Sequence, residues 1–248
     1  MLFSGQGKLF IAPRAAGGAA GAFRYVGNVP DFKVQLATTT IEHKESTTGQ
    51  RLTDQRQETE KNATLDAVLD EFDINNLGLA LYGTPATVSG SSVTDEVLAT
   101  GLAVGDYARL KYPEVSAVVI KDSAGSPATL VLGTDYEISS ADHGTIKILN
   151  LGAYVQPFTA DYTYGAHSNL AMFDTASVER WFRFEGINTA DSDAKVLVEL
   201  YRVKLDPLSE LALINDAFAT LNLSGSVLYD ATKVADTQLG QFGRFVHI

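Results

Sequence analysis

The sequence predicts a mainly β protein with one flanking helix and a small β-rich segment inserted into the main domain. Apolar and polar residues alternate along several stretches, Val, Thr, Tyr and Phe are frequent, and turn residues recur at short intervals. Helical spacing stands out early, at 73–83, and a Ser-, Thr- and Gly-rich shift after Gly83 introduces short strands with bends of their own.

Taken in order, strands are expected at 5–13, 22–28, 31–43 and 58–70. The first is followed by "RAAGGAAGA", too small and flexible for a core and so an exposed loop. Pro30 marks a turn or a strand start, because it cannot donate to a central ladder. Along 31–41, Phe32, Val34 and Leu36 fall on one face and Lys33, Gln35, Ala37 and Thr39 on the other, which gives a strand with one wet face. Along 58–70, Leu65, Ala67 and Leu69 oppose a strongly acidic face of Glu58, Glu60, Asn62, Thr64, Asp66 and Asp70. In "DINNLGLALYG", Asp73 caps, Ile74, Leu77 and Leu81 recur at helical spacing, and Gly83 ends the helix.

The segment 86–167 carries "VSAVVIKD", "TDYEIS", "GTIKILN" and "FTADYTYGA", with "DSAGSP" and "SADHG" as bends. It reads as an inserted domain, so that 1–85 and 168–248 form one discontinuous core domain. The main pattern resumes with "SVERWFRFEGINTA" and "AKVLVELYRVKLDP"; the second is nearly continuous in apolar residues and is expected to be central and covered on both faces. "PLSELALINDAF" is expected to add a turn of helix capped by Ser209, "TLNLSGSVLYD" a last strand, and "QLGQFGRFVHI" an apolar tail that packs on something.

At 248 residues and 45% hydrophobic, the chain can bury one sizeable core or a core plus a small inserted domain. Zero cysteines exclude disulfides and thiolate metal sites. No secretory leader and no membrane-spanning run is expected, since "MLFSGQGKLFIAPRAAGG" is broken by Gly5, Gly7, Lys8 and Pro13. A formal charge of −11, from 19 basic and 30 acidic residues, argues against gripping nucleic acid through its phosphates. His43, His143, His167 and His247 lie far apart without metal-ligand spacing. No nucleophile elbow, phosphate loop, dinucleotide fingerprint or calcium loop occurs, so neither an enzymatic activity nor a cofactor is expected. "RWFRF" reads better as strand alternation, Phe182 and Phe184 inward, than as a nucleic-acid stacking platform.

The order of parts resembles the major tail tube proteins of long-tailed bacteriophages. The residues that carry the resemblance are "GKLFIAP", then "YVGNVPDFKVQLATTTIEHKESTTGQRLTDQRQETEKNATLDAVLDEFDINNLGLALYG", and late "VERWFRFEGINTADSDAKVLVELYRVKLDPLSELALI". The resemblance implies a barrel-forming β-sandwich flanked by a helix, in a virion protein made in the host cytoplasm. Such proteins assemble with themselves into stacked six-fold rings, meet other tail proteins, and let DNA pass without binding it or any membrane. It also implies that Lys33, Gln35, Thr39, Glu58, Glu60, Thr64, Asp66 and Asp70 face the channel, where an acidic wall repels phosphates and Lys33 and Lys61 are local departures. The inserted domain is then expected to face outward, because its bulk would block the channel.

The polar stretch 42–61 finds its place in this reading. Residues 44–58 are expected to form a loop that projects from a hairpin, is mobile in the free protein and orders against the next subunit or ring. Its contact residues would be Lys44, Glu45, Thr47, Gln50, Arg51, Asp54, Arg56 and Glu58, with Gly49 bending the tip. Two other readings are a terminator or connector ring that caps a tube, and a carbohydrate-binding β-sandwich with Tyr154, Tyr162 and Tyr164 as an exposed platform.

Overall fold

The computed structural model describes residues 2–233 and 236–248. The chain is mainly β and divides into two compact units, Met1–Thr84 with Leu170–Ile248, and Pro85–Asn169. The first unit opens with β1 (Gly5–Pro13), β2 (Arg24–Tyr25), β3 (Asp31–Lys44), β4 (Thr53–Leu69) and helix α1 (Ile74–Ala80). Next come β5 (Pro85–Val88), β6 (Ser91–Val97), β7 (Tyr107–Arg109), β8 (Val115–Lys121), β9 (Tyr136–Ser140), β10 (Thr145–Ile148), β11 (Thr159–Tyr164) and β12 (His167–Leu170). The first unit is completed by β13 (Arg180–Asn188), β14 (Ala194–Leu205), β15 (Leu221–Val227) and β16 (Gly243–His247).

Its strands form one sheet in the order β2-β1-β13-β14-β15-β4-β3, with β16 also on β14. Strand β14 explains this branching: Val203–Leu205 pair with β15, while Val196–Leu200 pair with β16. The apolar tail of the sequence is therefore a strand that completes the sheet. Leu9, Ile11 and Phe182 share one core with Leu65, Ala67, Leu69, Leu221 and Leu223, which brings β1 and β13 over β4 and β15. On the other side of β14 and β13, Tyr201 and Trp181 pack with Ala12 in a second, smaller core, so β14 is covered on both faces.

Helix α1 has only seven residues and would be marginal alone. Asp73 caps it, its carboxylate accepting from the N–H groups of Asn75 and Asn76. Asn76 is wholly buried and donates its amide to Val26 O (2.9 Å) and Glu71 O (3.0 Å), which ties the helix to the chain on either side of the β3–β4 hairpin. The helix ends at Ala80 with Leu81 as its C-cap, and the left-handed residue that follows is Tyr82 (φ 52°), not Gly83, whose N–H returns to Gly78 O.

Three expectations are corrected. The strand foreseen at 22–28 shrinks to Arg24–Tyr25, because Gly27 (φ 90°) turns the chain beside buried Val26. The strand foreseen from 58 begins at Thr53. "PLSELALINDAF" holds no helix, since Leu213, Ile214 and Phe218 find nothing among the described residues to pack against and a short helix needs a packed face.

The second unit holds two three-stranded antiparallel sheets, β7-β10-β9 and β6-β11-β8, with β5 beside β12. Ile120, Ile146, Ile148, Leu130 and Phe158 fill its own core. Buried Asp135 takes the Val131 N–H (2.8 Å), the Asn150 amide (3.0 Å) and the Tyr154 hydroxyl (2.9 Å), which hold its carboxyl below the usual range.

Candidate functional site: the hairpin arm and its polar face

The β3–β4 ladder starts at Asp31↔Val68 and continues to Lys44↔Thr53, well past the edge of the core. Ala63, Leu65, Ala67 and Leu69 are buried, whereas every residue of β4 from Thr53 to Asn62 is exposed. The partner stretch Ala37–Lys44 is likewise exposed, apart from partly covered Thr40. Beyond Leu36↔Ala63 the hairpin is thus a two-stranded ribbon wet on both faces, about 25 Å long at ~3.3 Å per residue. The expected 44–58 loop is corrected to this ribbon plus an eight-residue tip, Glu45–Leu52, because Thr53–Glu58 are polar but still satisfy a ladder.

The tip is built, not slack. The Glu45 N–H donates to Leu52 O (2.9 Å), and the Glu45 carboxylate accepts from the N–H groups of Thr47 (2.7 Å) and Thr48 (2.9 Å). Both threonine hydroxyls donate to it as well. These donors, the Thr48 hydroxyl foremost, pull the Glu45 carboxyl down to about 2. Gly49 turns the apex with φ 80°, Arg51 is left-handed at φ 51°, and Gln50 donates its N–H to the Thr48 hydroxyl.

The charges on the arm are unevenly spent. Asp54 meets His43 Nδ1 at 2.6 Å, a hydrogen bond that holds its carboxyl below the usual range, and Glu58 lies 3.8 Å from Lys61. Among the described residues, Lys44, Arg51 and Arg56 form no ion pair. Glu42, which stands across from Arg56 and accepts only from the Thr53 hydroxyl (3.5 Å), forms no ion pair either, so charges of both signs stay open near the tip, the basic ones in the majority.

The register decides which side chains share a face. Lys33, Gln35 and Thr39 stand across from Asp66, Thr64 and Glu60, so these six lie together on the wet face of the hairpin. Gln35 donates to Asp66 (3.0 Å) and Thr39 to Glu60 (3.3 Å), while Lys33 pairs with Asp31. Two residues expected on that face depart from it. A bulge leaves Thr59 unpaired, since Thr39 faces Glu60 but Thr40 faces Glu58, and this extra residue moves Glu58 to the opposite face beside Lys61. Asp70 lies past the end of β4, its N–H on Asn28 O and its carboxylate on the Asn28 amide.

The face also extends where the sequence reading did not place it. Asn222, Ser224 and Ser226 pair with Val68, Asp66 and Thr64, and Lys204 pairs with Ser226. The alternation in "LNLSGSV" carried this signal. The enlarged face is rich in hydroxyls, with Asp31, Asp66 and Glu60 partly offset by Lys33 and Lys204, and so is less acidic than β4 alone suggests.

The aromatic platform foreseen on the second unit is not exposed. Tyr162 is buried with its hydroxyl on Glu96, the Tyr154 hydroxyl is held by Asp135, and Tyr164 stacks on Tyr112 at 4.0 Å between ring centroids. All three rings serve that unit's own packing. Among the described residues no cluster of His, Asp or Glu could hold a metal ion, and no helix is long and apolar enough to cross a membrane.

The model of one protein family, described as Protein of unknown function UCP028589, matches residues 2–246. No curated protein matches the chain.

Proposed function

We propose that this chain, which belongs to that family, is a structural subunit of a phage tail tube: copies form six-fold rings that stack into a hollow conduit for DNA. The observation that carries this reading is the β3–β4 hairpin. Strand β3 has 14 residues and, among the described residues, pairs only with β4, so its outer edge is open along its whole length. A long unpaired edge is a liability in a monomer, and a closed ring removes it by supplying a neighbour's strand. The ribbon beyond it, bare on both faces, gains a surface to lie on only in an assembly.

On this reading the unit of Met1–Thr84 and Leu170–Ile248 is the sandwich of the tail tube fold. Its hydroxyl-rich face lines the channel, and the −11 charge of each subunit keeps DNA from adhering. The three unpaired cations of the arm meet acidic groups of the next subunit or ring. The role requires no cofactor and no catalytic residue.

The test is negative-stain electron microscopy of the purified protein over a concentration series. Long hollow tubes are the expected outcome. Rings that never stack would assign the chain to the tube's end as a terminator, and dispersed monomers at every concentration would overturn the reading.

A further inference from the structure

The first unit, its hairpin arm aside, carries Arg14, Arg24, Arg180, Arg183, Arg202 and Arg244. Each of these except Arg180 reaches a carboxylate. Arg14 meets Asp230 at 2.9 Å and Glu179 at 3.3 Å, and Arg202 meets Glu179 at 2.6 Å. Arg183 and Arg244 share Glu199 (2.9 and 2.7 Å), and Arg24 lies 3.3 Å from Asp73. Among the described residues, the Arg180 side chain has neither an ion pair nor a hydrogen bond.

This charge stands where an apolar side chain is expected. Arg180 opens β13 in step with Phe182 and Phe184, which pack into the main core, and its cross-strand neighbours are Pro13 and Val203. It is partly buried. Burial first, and then the like charge of Arg24, pull its guanidinium below the usual arginine range, with no acidic group acting against them. The end of α1 does not answer the charge, because Gly78 O already accepts the Gly83 N–H and Ala80 O the Leu208 N–H. Arg180 lines a cavity of about 90 Å³ between α1 and the stretch 175–178, and it is the one charged residue there. Small-molecule sites measure roughly 300–1,000 Å³, so this cavity admits one functional group and not a whole cofactor. Three of its hydroxyls are committed as donors: Thr175 to Tyr82 O (2.9 Å), Ser177 to Leu205 O (2.9 Å) and Tyr82 to Leu205 O (2.6 Å).

We propose that this cavity is a recognition site for a single carboxylate group, which pairs with the Arg180 guanidinium. The guanidinium is a planar fork of N–H donors that matches the two oxygens of a carboxylate, whereas a dianionic phosphate would outmatch one arginine. A partly desolvated cation without a counter-charge destabilises the fold, and an anion of fitting shape removes that penalty. The carboxylate comes from an acidic side chain of a second copy, of which each chain carries 30, or from a small free acid. The site does not depend on the tube reading.

Thermal unfolding of the dilute full chain tests the site, with sodium acetate as the probe and sodium chloride at equal ionic strength as the control. Acetate should raise the midpoint of the unmodified protein along a saturating curve. Arg180→Met keeps an unbranched stem and removes the charge, so it should start at or above the unmodified midpoint in chloride and ignore acetate. Arg180→Lys, a charge without the planar fork, should respond less than the unmodified protein. Equal midpoints in the two salts would overturn the site, and so would an Arg180→Met protein that unfolds well below the unmodified one in chloride, since Arg180 would then serve the fold. Sedimentation separates the two sources. If a second copy supplies the carboxylate, Arg180→Met should raise the concentration needed for self-association by roughly tenfold or more. Unchanged association beside an intact acetate response would assign the site to a free acid, and a chain that responds to acetate yet never associates keeps the site and loses the tube.

Discussion

The base and the arm of the β3–β4 hairpin share one antiparallel ladder yet live in different environments. At the base, Leu65, Ala67 and Leu69 are buried, and Phe32 packs tilted against Phe184 with ring centroids 5.9 Å apart. In the arm the same two strands run on with both faces in water. Backbone hydrogen bonding is alike along the ladder, so the difference lies in what the side chains remove from solvent. A net contribution of about 1 kcal/mol per hydrogen bond, set against about 1–2 kcal/mol to fix each residue's backbone, does not hold a ribbon together alone. The arm relies on cross-strand polar pairs, on its bulges and on the Glu45 tip, and an assembly supplies what is missing.

The comparison breaks most visibly at Leu65, which is fully buried and stands across from Val34. Leu65→Ala should cost about 2–5 kcal/mol through lost burial and the cavity left behind. Gln57→Ala, on the same strand but in the arm, should stay within about 0.5 kcal/mol. Urea unfolding measures both, and comparable midpoints for the two variants would show that the arm is folded onto something in the free subunit.

Removing residues 47–55 takes away all of the tip but Glu45 and Ser46, together with the first three residues of β4. Stability of the subunit should change by no more than about 0.5 kcal/mol, because no buried side chain is lost. Assembly should fail, since the open cations at Lys44 and Arg56 lose the scaffold that presents them. Normal tubes from this variant, seen by electron microscopy, would remove the arm from the interface.

Much of this hairpin was legible in the sequence, and the limits have physical causes. The alternation Phe32, Val34, Leu36 and Leu65, Ala67, Leu69 marks the core face because burial imposes a period of two. Beyond Leu36 that constraint ends, so nothing apolar announces that Thr53–Gln57 are still strand. Thr59 is invisible as a bulge, yet it reverses the face of Glu58, since one inserted residue flips a period-two pattern. The segment with Leu213 and Phe218 has helical spacing but no packing surface among the described residues, and spacing without burial does not make a helix. The polar run Asn222, Ser224 and Ser226 was readable as alternation, but its place beside Thr64 and Asp66 depends on long-range pairing that periodicity does not specify.

The smallest effect concerns the tip and its pH dependence. Glu45 is only partly covered and its hydrogen bonds to Thr47 and Thr48 are solvent-exposed, so they act in water and shape the turn more than they stabilise the fold. Its carboxyl, ordinarily near 4.5, is lowered to about 2 in the folded hairpin. A lowered carboxyl pKa stabilises the tip fully above the ordinary value, progressively less as pH falls below it, and not at all once pH drops beneath about 2. The Thr47 and Thr48 amide signals in nuclear magnetic resonance should therefore hold their positions through pH 4 and shift with a midpoint near 2. Glu45→Gln, which keeps an acceptor oxygen but loses the charge, should weaken both amide bonds at neutral pH and remove the transition. A midpoint near 4.5 in the unmodified protein would mean that the tip is open in solution and that its order comes from contact with another subunit.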